Sequence, residues 1–337
     1  MKKIIISINI IDKTKGQSMG GGASFKAPHD ILEITLKCGY TEHLISVPNH
    51  RFKFFTQLVI ITKLIQLIFI YPAKSHLLIQ YPCINPRLLK ILLPLWKKFY
   101  LQTIIHDINS IRVNGQLSTT ENNVLSCFNE IIVHSNNMKD YLHKSLKNKN
   151  IQYKIIDCFP YIAEPDSMPR ILSKNICFAG NIDKSLFMKD FIHENKDLNL
   201  YLYGALKNKD FEKDTKVFYK GVFYPNNIKN LKGSWGLVWD GDSPKTCNGN
   251  WGTYLKIIAP HKFSLYILAG LPLIVWNDSA MATLVKDKEI GITINSLSEI
   301  SNIIEQITTE QYQIFCRNLR SMQEILTKGT NYSTLLQ

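Results

Sequence analysis

The sequence predicts an α/β protein of two doubly wound domains, each a parallel sheet covered by helices on both faces. Short runs of Ile, Leu and Val alternate with helix-length segments along the whole chain. Such uninterrupted apolar runs are typical of parallel strands that are buried on both sides. The length of 337 residues allows two domains of ordinary size. Since doubly wound sheets bind ligands at the carboxyl ends of their strands, we expect a ligand cleft between the domains.

The first domain is predicted over residues 1–160 and the second over 170–309. The segment 161–169 is expected to be a linker, because "PYIAEPDSMP" carries three prolines and no periodicity. A final helix, from about Glu310 to Leu326, is expected to close the fold within 310–337. The predicted strands are, in chain order, Lys3–Ile8, Leu44–Val47, His76–Gln80, Gln102–His106, Glu130–His134, Lys154–Phe159, Asn175–Ala179, Asn199–Tyr203, Val217–Tyr219, Trp235–Trp239, Leu273–Trp276 and Gly291–Ile294.

The formal net charge of +13 predicts an acidic partner, which is nucleic acid, an anionic membrane surface or a phosphorylated ligand. Between Glu42 and Asp107 the chain has eight basic residues and no acidic one. Helices over Phe54–Tyr71 and Leu88–Phe99 would place this charge against anionic headgroups, or would be core helices with solvated lysines. Nucleic acid is disfavoured, because no recognisable reader module is present.

No membrane-spanning segment is predicted, because polar residues interrupt the apolar run Phe54–Tyr71. The opening "MKKIIISINII" lacks a cleavage site and is better explained as a first strand than as a signal peptide. The seven cysteines are widely spaced and form no C-x-x-C pair, which favours reduced thiols in a cytoplasmic protein and disfavours zinc.

Two features of the first domain suit a ligand. Gly20, Gly21 and Gly22 follow the first strand, where bare backbone can approach a ligand closely, although a flexible turn is an equally good explanation. His106 and Asp107 end a buried strand in "TIIHDINSIR", so the Asp107 carboxylate could act as general base on a sugar hydroxyl. The alternative is that Asp107 only caps the following turn. Arg112 could orient a phosphate or that carboxylate.

The stretch "APHKFSLYILAGLPLIVW" predicts a helix from His261 to Ala269 that runs into a buried strand. Pro260 suits the start of this helix and Gly270 its end. His261 and Lys262 would join the free N–H groups of the helix N-terminus, which suits a phosphate. The alternative is an ordinary helix–strand connection with a solvated basic first turn.

Other polar turns at strand ends are expected on the same rim. Asn181 and Lys184 suit a diphosphate, and Phe223 and Tyr224 suit stacking on a nucleobase. Tyr254 is placed on this rim as well. Asp240-Gly-Asp242 is interpreted as part of a donor loop, with a divalent metal site as the alternative.

The segments "GLVWDGDS", "YLKIIAPHKFSLYILAGLPLIVW" and "FAGN" resemble a family of bacterial GT-B glycosyltransferases. This family includes O-antigen β-1,6-galactofuranosyltransferases and streptococcal glucosyltransferases that act on serine-rich adhesins. The resemblance implies two Rossmann-like domains and transfer of a hexose from a UDP-sugar without a metal cofactor. It also implies that Pro260, His261 and Lys262 lie at the donor site. Ile258 and Ala259 depart from the family, whose members often have Asn-Asn there.

The resemblance further implies transfer of galactofuranose to a lipid-diphosphate-linked oligosaccharide in lipopolysaccharide biosynthesis, at the cytoplasmic face of the membrane. We assign Asp107 as the base and Lys262, His261 and Lys184 to the diphosphate. The alternatives are a UDP-glucose-dependent glucosyltransferase and a basic nucleic-acid-binding protein. A homo-oligomer is compatible with the sequence, which leaves the oligomeric state open.

Overall fold

The computed structural model describes residues 1–11, 23–48, 53–206 and 214–337. The chain forms two compact units, one of Met1–Ile156 with Tyr332–Gln337 and the other of Asp157–Asn331. The first unit therefore ends before the predicted boundary at 160, and the last six residues belong to it rather than to the second unit.

The first unit contains a parallel sheet whose described strands have the order β2-β1-β3-β4-β5-β6. In this sheet Ile4 lies opposite Thr41 on one side and Leu77 on the other. Both faces are apolar and covered, so Ile4, Leu78 and Ile104 are fully buried. The strands are β1 (Lys3–Ile11), β2 (Thr41–Pro48), β3 (His76–Tyr81), β4 (Tyr100–Ile105), β5 (Glu130–Val133) and β6 (Gln152–Ile155). The helices are α1 (Ala23–Lys37), α2 (Lys53–Ile70), α3 (Pro86–Leu92), α4 (Asn109–Asn114), α5 (Thr119–Leu125) and α6 (Asn136–Ser145).

The predicted helix over Leu88–Phe99 is two shorter pieces. Helix α3 ends at Leu92, and a 3-10 turn covers Leu93–Trp96. Pro94 explains the break, because it has no N–H to continue the α-helical hydrogen bonds. None of the helices in the described parts of the chain is long and apolar enough to cross a membrane.

The second unit contains a parallel sheet whose described strands have the order β12-β11-β10-β7-β8-β9. The sheet confirms the predicted α/β class for this half of the chain. The strands are β7 (Asn175–Ala179), β8 (Asn199–Tyr203), β9 (Val217–Tyr219), β10 (Trp235–Val238), β11 (Leu273–Trp276) and β12 (Gly291–Ile294). The helices are α7 (Met188–Glu194), α8 (Gly249–Tyr254), α9 (His261–Leu268), α10 (Ala282–Asp287), α11 (Ile300–Gln306), α12 (Thr309–Lys328) and α13 (Thr330–Ser333).

The last six residues complete the first unit. Tyr332 is fully buried and its hydroxyl is 2.8 Å from that of Thr35 in α1. Lys3 and Lys154, from strands β1 and β6, donate hydrogen bonds to the carbonyls of Leu336 and Leu335. Both lysine contacts satisfy backbone groups that would otherwise need water.

The segment predicted as a linker is part of the second unit and packs within it. Tyr161 and Asp166 are 1% and 5% exposed, and the Tyr161 N–H donates to the carbonyl of Leu326 in α12. The prolines remove periodicity from the sequence, but they do not prevent apolar side chains between them from being buried.

A buried ion pair at the end of this segment holds the C-terminus of α9. The Arg170 guanidinium is 2.6 Å from the Asp166 carboxylate and donates two hydrogen bonds to the carbonyl of Ala269. Gln323 of α12 donates to the carbonyls of Ile267 and Leu268 at 3.0 Å each. Thus the last carbonyls of α9, which have no partner within the helix, are satisfied by two side chains.

Replacing Arg170 with Met should lower the free energy of unfolding of the second unit by about 3 kcal/mol, because it leaves the Asp166 charge and the Ala269 carbonyl buried without their partner. Urea unfolding followed by tryptophan fluorescence measures this change, since four of the five tryptophans, Trp235, Trp239, Trp251 and Trp276, lie in this unit.

The matched control is Arg317→Met, which removes an exposed arginine from α12 of the same unit. Adding Asp166→Asn to Arg170→Met should restore part of the stability, because no buried charge then remains. Equal stability of Arg170→Met and Arg317→Met would contradict the role given to Arg170.

Candidate functional site

The carboxyl edge of the second sheet brings together the loops that follow β7 and β10 and the start of α9. Three contacts join them. Tyr266 of α9 accepts a hydrogen bond from the backbone N–H of Ala179 at 2.7 Å. Lys262 Nζ donates to the carbonyl of Trp239 at 2.8 Å. Lys184 Nζ lies 5.3 Å from the ring centroid of Trp251. Predicted donor residues from separate parts of the sequence therefore share this edge.

Lys262 places a cation just beyond the end of β10. Its ammonium group lies 4.9 Å from the ring centroid of Phe178, in addition to its hydrogen bond with Trp239. Burial lowers the pKa of Lys262, while the nearby Asp240 carboxylate opposes this shift. The alternative interpretation was a first turn whose basic side chains are fully solvated, and the contacts of the Lys262 amine do not fit it. A half-buried ammonium that keeps a hydrogen-bond partner is poised to stabilise an added negative charge.

The start of α9 is held at this edge by close packing. Gly236 of β10 has no room for a side chain, because an added Cβ would lie 2.4 Å from the ring of Tyr266. Ser264 also donates to the carbonyl of Phe159 at 2.7 Å. The sequence placed Pro260 in the first turn of the helix, whereas it is the N-cap residue in an extended conformation and the helix begins at His261, as predicted. The free N–H groups of the first turn carry the positive end of the helix dipole.

His261 packs among aromatic rings rather than standing in solvent. Its ring stacks on Tyr161 with a centroid distance of 4.8 Å and an interplanar angle of 18°. Tyr161 in turn donates a hydrogen bond to the carbonyl of Pro225 at 2.7 Å. Tyr224 directly precedes Pro225 in the chain and is 79% exposed. Its exposed ring suits stacking on a nucleobase.

The loop after β10 is a compact turn. Asp240 accepts a hydrogen bond from the N–H of Gly241 at 3.0 Å, and the N–H of Asp242 donates to Asn248 at 3.0 Å. Gly241 has φ of 110°, and an added Cβ would lie 2.6 Å from the carbonyl oxygen of Asn248. Only glycine fits this turn, so the loop presents Asp240 in a fixed position.

Asn181 and Lys184 form a short turn after β7. Asn181 is the N-cap residue of the 3-10 turn Ile182–Lys184, and its side chain accepts from the N–H of Lys184 at 3.2 Å. Both residues are exposed, so they face solvent.

Tyr254 differs from its predicted place on the rim. It is the last residue of α8 and only 2% exposed, because this end of the short helix turns toward the interior. In this arrangement its ring is not accessible to a ligand.

In the first unit the predicted base lies directly after β4. The Asp107 carboxylate pairs with the Arg112 guanidinium, and both side chains are about 30% exposed, at 30% and 29%. Arg112 also donates to the Asn109 side chain at 2.8 Å. The N-cap residue of α4 is Ile108, not Asp107. Arg112 therefore pairs with the carboxylate, which is one of the two roles that the sequence left open for it.

The neighbouring His106 is held by the polar side chain of Gln80. The ring Nε2 of His106 is 2.7 Å from Gln80 Oε1, and Gln80 Nε2 donates to the carbonyl of Pro28 at 3.0 Å. His134 supports the same strand end, since its Nε2 lies 2.8 Å from the carbonyl of Ile105. Burial lowers the pKa of His134 to about 4, which keeps its ring neutral at physiological pH. Gly20, Gly21 and Gly22 lie outside the described residues.

Several residues of these sites were missed by the sequence analysis. Phe178, Trp239 and Trp251 supply the aromatic and carbonyl partners of Lys262 and Lys184. The sequence signal for Phe178 and Trp239 was an aromatic residue at or just after the end of an apolar strand, which is also typical of ordinary core packing. Trp251 lies in α8 and has no such signal. Gln80 and His134 carry no local signal, because only the strand order brings them beside His106.

The described residues contain no group of three or more His, Cys, Asp or Glu side chains that could hold a metal ion. The seven cysteines all lie in the described part of the chain and none is paired. Burial raises the pKa of Cys247, beside the Asp240 loop, to about 12, so this thiol stays protonated.

Comparison with known proteins covers both units. Residues 4–156 match the model of the N-terminal domain of glucosyltransferase 3-like proteins, and residues 176–337 match that of the C-terminal domain. The chain is 32% identical over 248 residues to the β-1,6-galactofuranosyltransferase WbbI of Escherichia coli K12, covering 71% of each chain. It is 26% identical to glucosyltransferase 3 of Streptococcus gordonii, covering 68% of this chain and 67% of the relative.

A solved structure supports the fold over nearly the whole length. The α,α-trehalose 6-phosphate synthase of Burkholderia multivorans superimposes with a TM-score of 0.57 at 8% identity, covering 99% of this chain and 96% of the other. Two parallel sheets, matches to both family models and a relative above 30% identity agree. The chain belongs to the glucosyltransferase 3-like family and is a glycosyltransferase with the GT-B fold.

Proposed function

We propose that this glycosyltransferase transfers galactofuranose from UDP-galactofuranose to a lipid-diphosphate-linked oligosaccharide, forming a β-1,6 linkage in O-antigen biosynthesis on the cytoplasmic side of the membrane. The E. coli relative supports the sugar and the linkage, because it is the more similar of the two relatives described and carries this activity in its name.

The observation that carries the donor assignment is the enclosed ammonium of Lys262 at the N-terminus of α9. A UDP-sugar brings two phosphate charges, and both the ammonium and the helix N–H groups favour anions. Partial desolvation strengthens the attraction, because fewer water molecules screen the charges. Lys184 and His261 lie on the same edge and add positive charge when protonated.

In the proposed reaction the acceptor hydroxyl attacks the anomeric carbon of the donor sugar with inversion. The bond from that carbon to the diphosphate breaks, and UDP leaves with the bonding electrons. Asp107 takes the proton of the acceptor hydroxyl, while Arg112 holds its carboxylate in place. Lys262 and the α9 N-terminus stabilise the charge that develops on the departing UDP.

We also propose that the transfer needs no divalent metal. Asp240 is the first carboxylate of the D-x-D motif, and its charge neighbour is the ammonium group of Lys262. A metal ion bound by Asp240 would therefore be repelled by this positive charge. The lysine takes over the part that a metal would play at the leaving diphosphate.

A second candidate is transfer of glucose from UDP-glucose. It is favoured by the Streptococcus gordonii relative, which is a glucosyltransferase, and by the names of both matching family models. The groups proposed for the diphosphate would serve both donors equally, so the sugar itself must be tested.

Incubation of the purified chain with UDP-galactofuranose or UDP-glucose in EDTA should release UDP at least about tenfold faster from UDP-galactofuranose when a lipid-linked acceptor is present. Faster turnover of UDP-glucose would establish the second candidate instead. If EDTA abolishes release and added Mg²⁺ or Mn²⁺ restores it, Asp240 and Asp242 hold a metal and the metal-free proposal is wrong.

Replacing Lys262 with Met should weaken UDP binding about 10- to 100-fold, because it removes a charged hydrogen-bond donor while keeping the length of the side chain. Isothermal titration calorimetry with UDP measures the change. The control is Lys229→Met, which removes an exposed, ion-paired lysine from the same unit. Wild-type affinity in Lys262→Met would place the diphosphate elsewhere.

The pH dependence of UDP binding separates a direct contact from a structural role of Lys262. A bound diphosphate stabilises the ammonium, so the complex holds this proton more tightly than the free protein does. Affinity should be complete below the lowered pKa of Lys262 and fall as the pH rises through it. This fall should begin at a lower pH than an ordinary lysine would cause, and it should disappear in Lys262→Met.

Replacing Asp107 with Asn should lower kcat by about 10²- to 10⁴-fold, because the amide cannot accept the hydroxyl proton. The affinity for UDP should not change, since the proposed donor groups belong to the other unit. Steady-state kinetics and calorimetry measure the two effects.

Asp140→Asn is the control for Asp107→Asn, because it changes an exposed carboxylate on α6 of the same unit. Both variants should unfold at the same temperature. Full activity of Asp107→Asn would remove this residue from the mechanism.

A further inference from the structure

Helix α2 exposes a long apolar stripe. The 18-residue helix is about 27 Å long at 1.5 Å per residue. Of its described side chains, seven are exposed at a spacing that keeps them on one side of the helix. Five of these are large and apolar, and the other two, Thr62 and Gln66, lie between them. Those five are Phe54 (70% exposed), Phe55 (51%), Leu58 (45%), Phe69 (85%) and Ile70 (51%). A stripe of this length is unusual for a surface in contact with water only.

The opposite side of α2 is anchored in the first unit, so the stripe has a fixed orientation. Leu64 and Leu67 are fully buried, and Trp96 donates a hydrogen bond from its ring N–H to the carbonyl of Leu64 at 3.3 Å. Lys98 donates to the carbonyl of Tyr71 at 2.8 Å, beyond the last turn of the helix. The exposed residues are therefore not available to pack into the core of this unit.

The adjacent segment 86–97 adds further apolar groups and positive charge. Ile91 and Leu95 are 62% and 48% exposed. Arg87, Lys90 and Lys97 are exposed on the same segment. We call α2 together with residues 86–97 the basic-apolar face. The sequence between Glu42 and Asp107 contains no acidic residue that would neutralise it.

We propose that the basic-apolar face binds the surface of an anionic lipid bilayer. Phe and Leu side chains on a surface helix enter the boundary between headgroups and acyl chains, and nearby lysines and arginines contact lipid phosphates. The face supplies both groups. Neither contribution alone gives lasting attachment, but together they form the pair of signals that a peripheral membrane protein needs.

The positive charge of the basic-apolar face favours an anionic bilayer over a second copy of the chain as its binding partner. A second copy of the chain docked through the same face would bring two sets of basic residues together, and like charges repel. An acidic protein would satisfy the charge, but a single exposed helix stripe offers it no enclosing walls. A bilayer accepts a convex apolar stripe without a matching shape.

The biological reason for binding the bilayer rests on the proposed function. If the acceptor is lipid-linked, the bilayer carries it, and this face brings the unit that contains Asp107 to that bilayer. Binding of the face to lipid stands on its own and can be measured without any sugar substrate.

Co-sedimentation of the full chain with vesicles tests the proposal. The chain should sediment with phosphatidylcholine vesicles that contain about 30% phosphatidylglycerol and stay in the supernatant with phosphatidylcholine alone. Binding should weaken strongly at about 1 M NaCl, where the Debye length falls to about 3 Å.

Two sets of variants assign the binding to this face. Phe54→Ser/Phe69→Ser should bind anionic vesicles at least about tenfold more weakly, because it removes the two most exposed rings of the stripe. Its control is Met168→Ser/Ile171→Ser, which removes two side chains of similar exposure, 70% and 79%, from the other unit.

The charge variant Arg87→Gln/Lys90→Gln/Lys97→Gln should bind roughly 100-fold more weakly, from about 1 kcal/mol for each cation. Its control removes the same number of exposed cations from the other unit with Lys189→Gln/Lys216→Gln/Arg320→Gln. All variants should keep the wild-type circular dichroism spectrum and melting temperature, which shows that both units are folded.

Three results would overturn the proposal. The first is that the wild-type chain does not sediment with anionic vesicles, and the second is that the face variants and their controls bind vesicles equally well. The third is that the wild-type chain binds no lipid but is a dimer in sedimentation velocity, and that Phe54→Ser/Phe69→Ser converts this dimer to a monomer. If the wild-type chain transfers sugar normally but does not bind vesicles, only the lipid-binding role of the basic-apolar face is wrong. If it binds vesicles normally but transfers no sugar, only the proposed function is wrong.

Discussion

The position of helix α9 depends on how its C-terminus is satisfied. Carbonyls at the end of a helix have no partner within it, and here Arg170 and Gln323 reach them from two different segments. Because the ion pair between Arg170 and Asp166 is nearly excluded from water, neither partner is replaceable by solvent. With its far end fixed in this way, the short helix directs Lys262 at the strand ends.

The two ends of α9 therefore differ in their electrostatic environment. The C-terminus, where the helix dipole is negative, accepts hydrogen bonds inside the protein from a guanidinium group whose own charge is balanced by Asp166. The N-terminus keeps its positive character and gains the ammonium of Lys262. The unbalanced positive charge of this eight-residue helix thus lies at its N-terminus.

The sequence was sufficient to predict the number and order of the described strands, because apolar runs in a parallel sheet are short, continuous and separated by turn residues. The bounds of β6 were wrong, since it covers Gln152–Ile155 and not Lys154–Phe159. The sequence was less reliable where packing overrides local pattern. Prolines in 160–169 suggested a linker, yet Tyr161 and Asp166 are buried through contacts with α9 and α12, which are far away in the sequence. Pro94 shortened a helix that periodicity alone would have extended to Phe99.

The candidate site was predictable in its charged residues and less so in their surroundings. Asp107 follows from its position after a strand and Lys262 from its position in the first turn of a predicted helix. The stacking of His261 on Tyr161 arises from packing of the segment 161–169, and the contact of Lys262 with Phe178 from the order of the strands. The last six residues show the same dependence on distant contacts. Since Tyr332–Gln337 pack in the first unit, that unit encloses the second in the sequence, and a ribosome must synthesise the whole of the second before the first can finish folding.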